Sequence, residues 1–375
     1  MADLAAEWDK REQFDVQERA LLPSFRLGMQ SKARGFEFSP HPSFMIKDLA
    51  KKAVLRSGML KLSAGRLGPN AAILMYHAVQ ADPSLHADLF GGIAHSEAVF
   101  RNQVELLARE FRPMSLSEVS EYIRGNGEMP KRSVVLTFDD GYADNTETAR
   151  PILNQVGVPA TFYATVSCIE EGILPWPSRL RYAFRSTSLS EWTDTENKRW
   201  TLRSPSEREQ AYLASCDVCC KLSGRAQDAF VARVAKELET CESPEARGLM
   251  MSYDQLRALV RHGHMIGSHT MTHPNMAYVT SDEARNELTE SKRLLELKLG
   301  VPIKHFSYPC PALSPHWNAE TLAETGMAGY ETAVTTDNGL VRRGNNLLCL
   351  KRIRPTKTVE GLRWNLECAF AGRAG

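Results

Sequence analysis

The stretch Leu136-Thr137-Phe138-Asp139-Asp140-Gly141-Tyr142, entered from Ser133-Val134-Val135, decides the fold. Its apolar half has the composition of a buried strand. Two adjacent carboxylates then stand at the strand tip, where like charges repel, and a glycine follows at once. Upstream, AAILMYHAV (71–79) is a second continuous apolar run, and AVFRNQVELLAREF (98–111) has helical spacing. Downstream, DNTETARPILNQVG (144–157) is predicted helical, with Asp144 or Asn145 as cap and Pro151 marking a kink or break. PATFYAT (159–165) is the third strand. Strand, helix, strand, helix, strand is the order of a largely parallel sheet covered by helices.

Residues 167 to about 250 interrupt that rhythm and are read as a mostly helical insertion. YDQLRALVRHG (253–263) is then a short helix and HMIGSHT (264–270) a strand. SDEARNELTESKRLLELKLG (281–300) is a long helix capped by Ser281 or Asp282 and stopped by Gly300. KHFSYP (304–309), ETAVTT (331–336) and NLLCLKRI (346–353) supply the remaining strands.

The second polar cluster is Gly267-Ser268-His269-Thr270-Met271-Thr272-His273-Pro274. His269 and His273 are four apart, so one turn of chain faces both imidazoles the same way. Neutral imidazoles suit a borderline divalent cation, and a carboxylate from Asp139 or Asp140 would complete a three-ligand face with open positions. Strand C-termini form the usual ligand face of a parallel sheet.

LTFDDGYADN, IGSHTMTHPNM and FSYPCP, with the early ILMYHAV, resemble the polysaccharide deacetylase family, carbohydrate esterase family 4. The likeness covers roughly residues 70 to 355. It implies an α/β fold, a distorted (β/α) barrel of about seven strands. It also implies metal-dependent removal of an acyl group, N-acetyl in the first instance, from a carbohydrate or glycoconjugate. Carried over, Asp140, His269 and His273 hold one divalent metal ion, commonly zinc. Asp139 is the base and metal-bound water the nucleophile. The backbone N–H at Tyr142 would help hold the oxyanion, and Tyr308, Pro309 and Trp317 would shape the acyl pocket.

Two features depart from the family pattern. Pro311 stands where members often carry glycine, and no histidine follows His316, so the usual Leu-x-His proton donor is missing. His77 in ILMYHAV is the substitute, as in permuted members. Two rivals remain: a deacylase or amidohydrolase of the same fold acting on a small non-polymeric metabolite, and a non-catalytic carbohydrate-binding protein.

The domain reading is an N-terminal helical extension (1–69), a catalytic domain (70–358) and a C-terminal tail (359–375). Lys plus Arg total 46 against 45 acids, a net charge of +1 that carries no nucleic-acid signature. The charged N-terminus lacks a signal-peptide core, no apolar run is long enough for a transmembrane span, and the eight cysteines demand no disulfide framework. These features point to the cytoplasm. A basic amphipathic helix across residues 47–66 is read first as covering a hydrophobic face of the following domain; it could also lie on the inner membrane surface, suiting an acylated sugar, a glycolipid or a glycosylated small molecule as partner.

Overall fold

The computed structural model describes residues 51, 53–55, 57–60, 68–240 and 248–373. Two compact units divide the chain: Pro69–Leu362, and residues 1–68 together with 363–375. Most of the basic segment 47–66 lies outside the described residues. Among the described residues no helix is long and apolar enough to cross a membrane.

Within Pro69–Leu362, seven parallel strands follow one another around a barrel: β1 (Asn70–Tyr76), β2 (Ser133–Phe138), β3 (Ala160–Ala164), β4 (Met265–Ser268), β5 (His305–Ser307), β6 (Thr332–Asn338) and β7 (Leu350–Arg352). A parallel bridge from Leu74 to Ile353 closes the circle. There Ile353 N donates to Ile73 O (2.7 Å) and Met75 N donates to Ile353 O (3.1 Å). Val341–Arg342 pairs antiparallel with the start of β1, making the sheet mixed, and Arg112–Pro113 adds a short parallel pairing to β2. This is the distorted α/β barrel the sequence implied.

The alternation of each strand sets what faces inward. Ile73, Val135, Tyr163, Val334 and Leu350 pack in one buried cluster. Two residues beyond Val135 and Leu350, the same inward face carries Thr137, then Asp139, and Arg352. Leu136 and Phe138 point the other way, and Phe138 stacks on Phe162 (centroids 4.7 Å apart).

Besides a short turn of helix at Ala87–Phe90 and a helix at Val359–Phe370, the described helices are α1 (Glu97–Glu110), α2 (Leu116–Arg124), α3 (Arg150–Val156), α4 (Val166–Glu171), α5 (Trp176–Ser186), α6 (Pro205–Cys219), α7 (Gly224–Glu237), α8 (Tyr253–Arg261), α9 (Ser281–Leu299) and α10 (Ala319–Met327). Pro151 falls where the helical run changes from π to α. It occupies the first turn of α3, where its missing N–H costs nothing, and a π-helical turn (Asn145–Ala149) precedes it. Helix α9 is capped one residue earlier than predicted: Thr280 accepts from Glu283 N and the Glu283 side chain returns the bond. The segment 167–250 carries α4 to α7, but also an antiparallel hairpin, Glu191–Thr193 with Arg199–Thr201. Its own core gathers Trp176, Phe184, Trp192 and the thiols of Cys216, Cys219 and Cys220.

Candidate active site

The two carboxylates diverge because the chain turns sharply between them. Gly141 N donates to Asp139 O (3.0 Å), a three-residue turn centred on Asp140, whose φ is 74°. Gly141 follows at φ 93°, a conformation that glycine adopts without strain. Asp139 therefore stays on the inward face of β2, and Asp140 is aimed elsewhere.

Asp139 meets Arg352 in a two-pronged ion pair: Nη1 donates to Oδ1 (2.8 Å) and Nη2 to Oδ2 (2.7 Å). Arg352 is only 1 % exposed and Asp139 2 %. The remaining guanidinium hydrogens go to Thr335 O (2.8 Å), Thr137 Oγ1 (3.2 Å) and Ser307 Oγ (3.2 Å). All five donors are thus used, which fixes the fork and, through it, the carboxylate. Burial pushes the Asp139 carboxyl up, but Arg352 and then His269 outweigh it and hold it below its usual range.

Asp140 turns to the histidines. Its Oδ1 lies 3.4 Å from His269 Nε2 and 3.3 Å from His273 Nε2. A ligand atom from each of the three residues fits within 4.8 Å of the others. His269 Nδ1 is 2.7 Å from Ser307 O. A carbonyl can only accept, so Nδ1 carries the hydrogen and Nε2 presents its lone pair. Asp140 Oδ1 is fully buried and accepts no hydrogen bond, and buried His273 Nδ1 has none either. One carboxylate oxygen and two imidazole nitrogens, converging with an orphaned oxygen among them, fit a borderline divalent cation that keeps open positions.

The histidines do not share a helical turn. Thr270 (φ 69°) and His273 (φ 63°) adopt left-handed backbone, and these strained positions fold residues 269–273 into a tight loop. Several groups hold it. Glu287, buried on α9, accepts from Met271 N (2.8 Å), Thr272 N (2.8 Å) and Thr272 Oγ1 (2.6 Å). Trp176 Nε1 donates to His273 O (2.9 Å), so the inserted segment braces the loop as well. Gly267 lets β4 pass close to β3, since a Cβ there would lie 2.4 Å from the Tyr163 ring.

This geometry meets its match in a sequence comparison. The family model for polysaccharide deacetylase covers residues 126–219 and 223–333. The chain belongs to that family. Membership and the Asp140–His269–His273 cluster together make this deacetylase a metal-dependent hydrolase. It is 22 % identical to "Putative polysaccharide deacetylase YxkH" of Bacillus subtilis (strain 168) over 289 residues, 77 % of this chain and 72 % of that one. The Streptococcus pyogenes deacetylase PplD, solved with acetate, superposes with TM-score 0.53 at 21 % identity, covering 79 % of this chain and 97 % of that one. IcaB from Ammonifex degensii gives TM-score 0.53 at 16 % identity, covering 80 % and 97 %. These two likenesses concern the fold.

The other singled-out residues of the deacetylase are placed as follows. His77 follows β1, half-buried, and its backbone carbonyl accepts from Asn145 Nδ2 (2.7 Å). Its ring lies in the field of Asp140 and Asp139, but burial dominates and lowers its pKa to about 4. Tyr142 is buried with its phenol beside Asp140 and Ser178, and Phe90 meets its ring edge-on at 4.8 Å. The Tyr308 hydroxyl is turned to α10, donating to Thr325 Oγ1 (3.0 Å). Pro309 is buried, and half-buried Trp317 donates from its indole to Asp337 (3.2 Å). Cys310 Sγ lies 2.8 Å from His316 Nε2. Arg352, Glu287 and Trp176 were not anticipated. The signal for Arg352 was a charge at an inward position of the strand NLLCLKRI.

Proposed function

We propose that this protein removes an N-acetyl group from a carbohydrate or glycoconjugate, with zinc as the resident cation and Asp139 as the base. The observation that carries the reading is the division of labour at residues 139 and 140: one carboxylate locked by Arg352, its neighbour turned toward two imidazoles. A cation held by Asp140, His269 and His273 supplies Lewis-acid polarisation and makes hydroxide available near neutral pH. Asp139, ionised and oriented by Arg352, accepts the proton of the attacking water at a carboxylate oxygen. The backbone at Tyr142 offers an N–H to the developing oxyanion.

The departing amine needs a proton, and His77 is the proposed donor. Burial disfavours its charged form, so it would act as a relay, taking up the proton that Asp139 accepted from water and giving one to the amine. Acetate is the proposed product, the acid bound in the Streptococcus pyogenes structure.

The test compares wild type with His77→Ala on an N-acetyl sugar and on an activated acetyl ester. An amine leaving group depends on protonation and a good alkoxide does not, so the amide should slow about 100-fold or more while the ester is nearly unaffected. Unchanged amide turnover removes His77 from the mechanism.

A further inference from the structure

Arg354 stands one rung above the arginine that holds the base. β7 ends at Arg352, and carrying its alternation on past the Ile353 bridge puts residue 354 on the side of Leu350 and Arg352, beyond the C-terminal end of the strand. Between them Ile353 is locked into the wall by its two hydrogen bonds to β1. Arg354 thus sits on the closing seam, beside the end of β1 from which His77 emerges. Its charge is felt at His77, Cys310 and His316.

The two arginines differ in one respect. Arg352 has committed every N–H, whereas Arg354 is exposed and, among the described residues, makes no hydrogen bond or ion pair. The carboxylates of this region face other groups. Asp139 is paired with Arg352, Asp140 faces His269 and His273, and Asp337 accepts from Trp317 and Thr335. Lys357 follows three residues on, and burial, then the Arg354 charge, lowers its pKa to about 7. Its ammonium donates to Ala94 O (2.7 Å) and lies 3.2 Å from His95 Nδ1, both uncharged partners. An exposed guanidinium fork with no partner among the described residues, close enough for its charge to reach His77, is suited to phosphate or carboxylate oxygens.

We propose that Arg354 binds an anionic group of the substrate, so that the preferred substrate is an acylated saccharide bearing a phosphate or carboxylate near the acyl group. This rests on the deacylation reading above and narrows its substrate.

Three N-acetylated sugars test it with the zinc-loaded protein: methyl N-acetylglucosaminide, N-acetylglucosamine 1-phosphate and N-acetylmuramic acid. Wild type should favour at least one anionic sugar over the neutral one by about 10-fold in kcat/KM, mainly through KM. In Arg354→Ala that ratio should collapse toward one, and Arg354→Lys should restore part of it. Preference for the phosphate or for the carboxylate says which anion is read. Binding of inorganic phosphate is measured on the same proteins, and should weaken about 10-fold in Arg354→Ala. That measurement decides the anion site even if no sugar is turned over, in which case the deacylation reading fails separately. Equal ratios in wild type and Arg354→Ala, or equal phosphate binding, would overturn the assignment.

Discussion

Replacing Arg352 by methionine tests whether the buried fork holds the base in place. The substitution keeps an unbranched side chain but removes all five donors. It leaves the buried Asp139 carboxylate without its partner, and strips hydrogen bonds from Thr335 O, Thr137 Oγ1 and Ser307 Oγ. Breaking one side of a buried ion pair typically costs about 3–5 kcal/mol. For a unit of this size, that corresponds to a fall in Tm of roughly 5–10 °C. The informative comparison adds Asp139→Asn. With the stranded charge gone, the double variant Arg352→Met/Asp139→Asn should recover at least about 2 kcal/mol relative to additivity. Urea denaturation reads this as a partly restored midpoint with an unchanged slope. Loss of under about 1 kcal/mol in Arg352→Met, or strict additivity in the cycle, would refute the idea that the fork neutralises the base.

Three further outcomes follow from the same geometry. Gly267→Ala places a methyl 2.4 Å from the Tyr163 ring and 2.7 Å from His305 O, so thermal denaturation should show a loss of about 2 kcal/mol or more. Glu287→Ala removes the acceptor of three hydrogen bonds that hold the loop, and chelator competition should find zinc bound at least about 10-fold more weakly. Burial raises the Asp144 carboxyl to about 7, against hydrogen bonds from Val79 and Asn145. Between pH 4 and 7 the folded chain then keeps a proton that the unfolded chain has released, so this group lowers stability as pH rises through that window. Asp144→Asn should remove the effect, giving a stability advantage over wild type that grows to about 1–2 kcal/mol by pH 7 and then levels off in denaturation measured against pH.

Most of the barrel was legible because its strands announce themselves. SVVLTF and AAILMY are uninterrupted apolar runs, and runs buried on both faces belong to parallel sheets. Asp139, Asp140, His269 and His273 could be read for a related reason, since polar residues at the C-terminal ends of such strands have few other uses. Arg352 could not, because 213 positions separate it from Asp139 and nothing local in LLCLKRI says which face closes on β2. The loop at residues 269–273 shows a second limit. The spacing of four was right for convergence, but the convergence comes from left-handed backbone at Thr270 and His273, which side-chain composition does not encode. Ser281 was a chemically reasonable cap for α9, yet Thr280 holds the position because its partner Glu283 lies three residues on. The hairpin at 191–201 was hidden by its polar turn, Asp194 to Lys198, between two short strands.

The most direct test of the central claim is acetate release from an N-acetylated sugar, with metal content measured alongside, for wild type, Asp139→Asn and His269→Ala. The account predicts close to one divalent cation per chain in wild type and Asp139→Asn, with turnover in the latter down about 100-fold or more. His269→Ala should lose the cation and the activity together. Equal turnover by wild type and Asp139→Asn, or full metal content in His269→Ala, would contradict it.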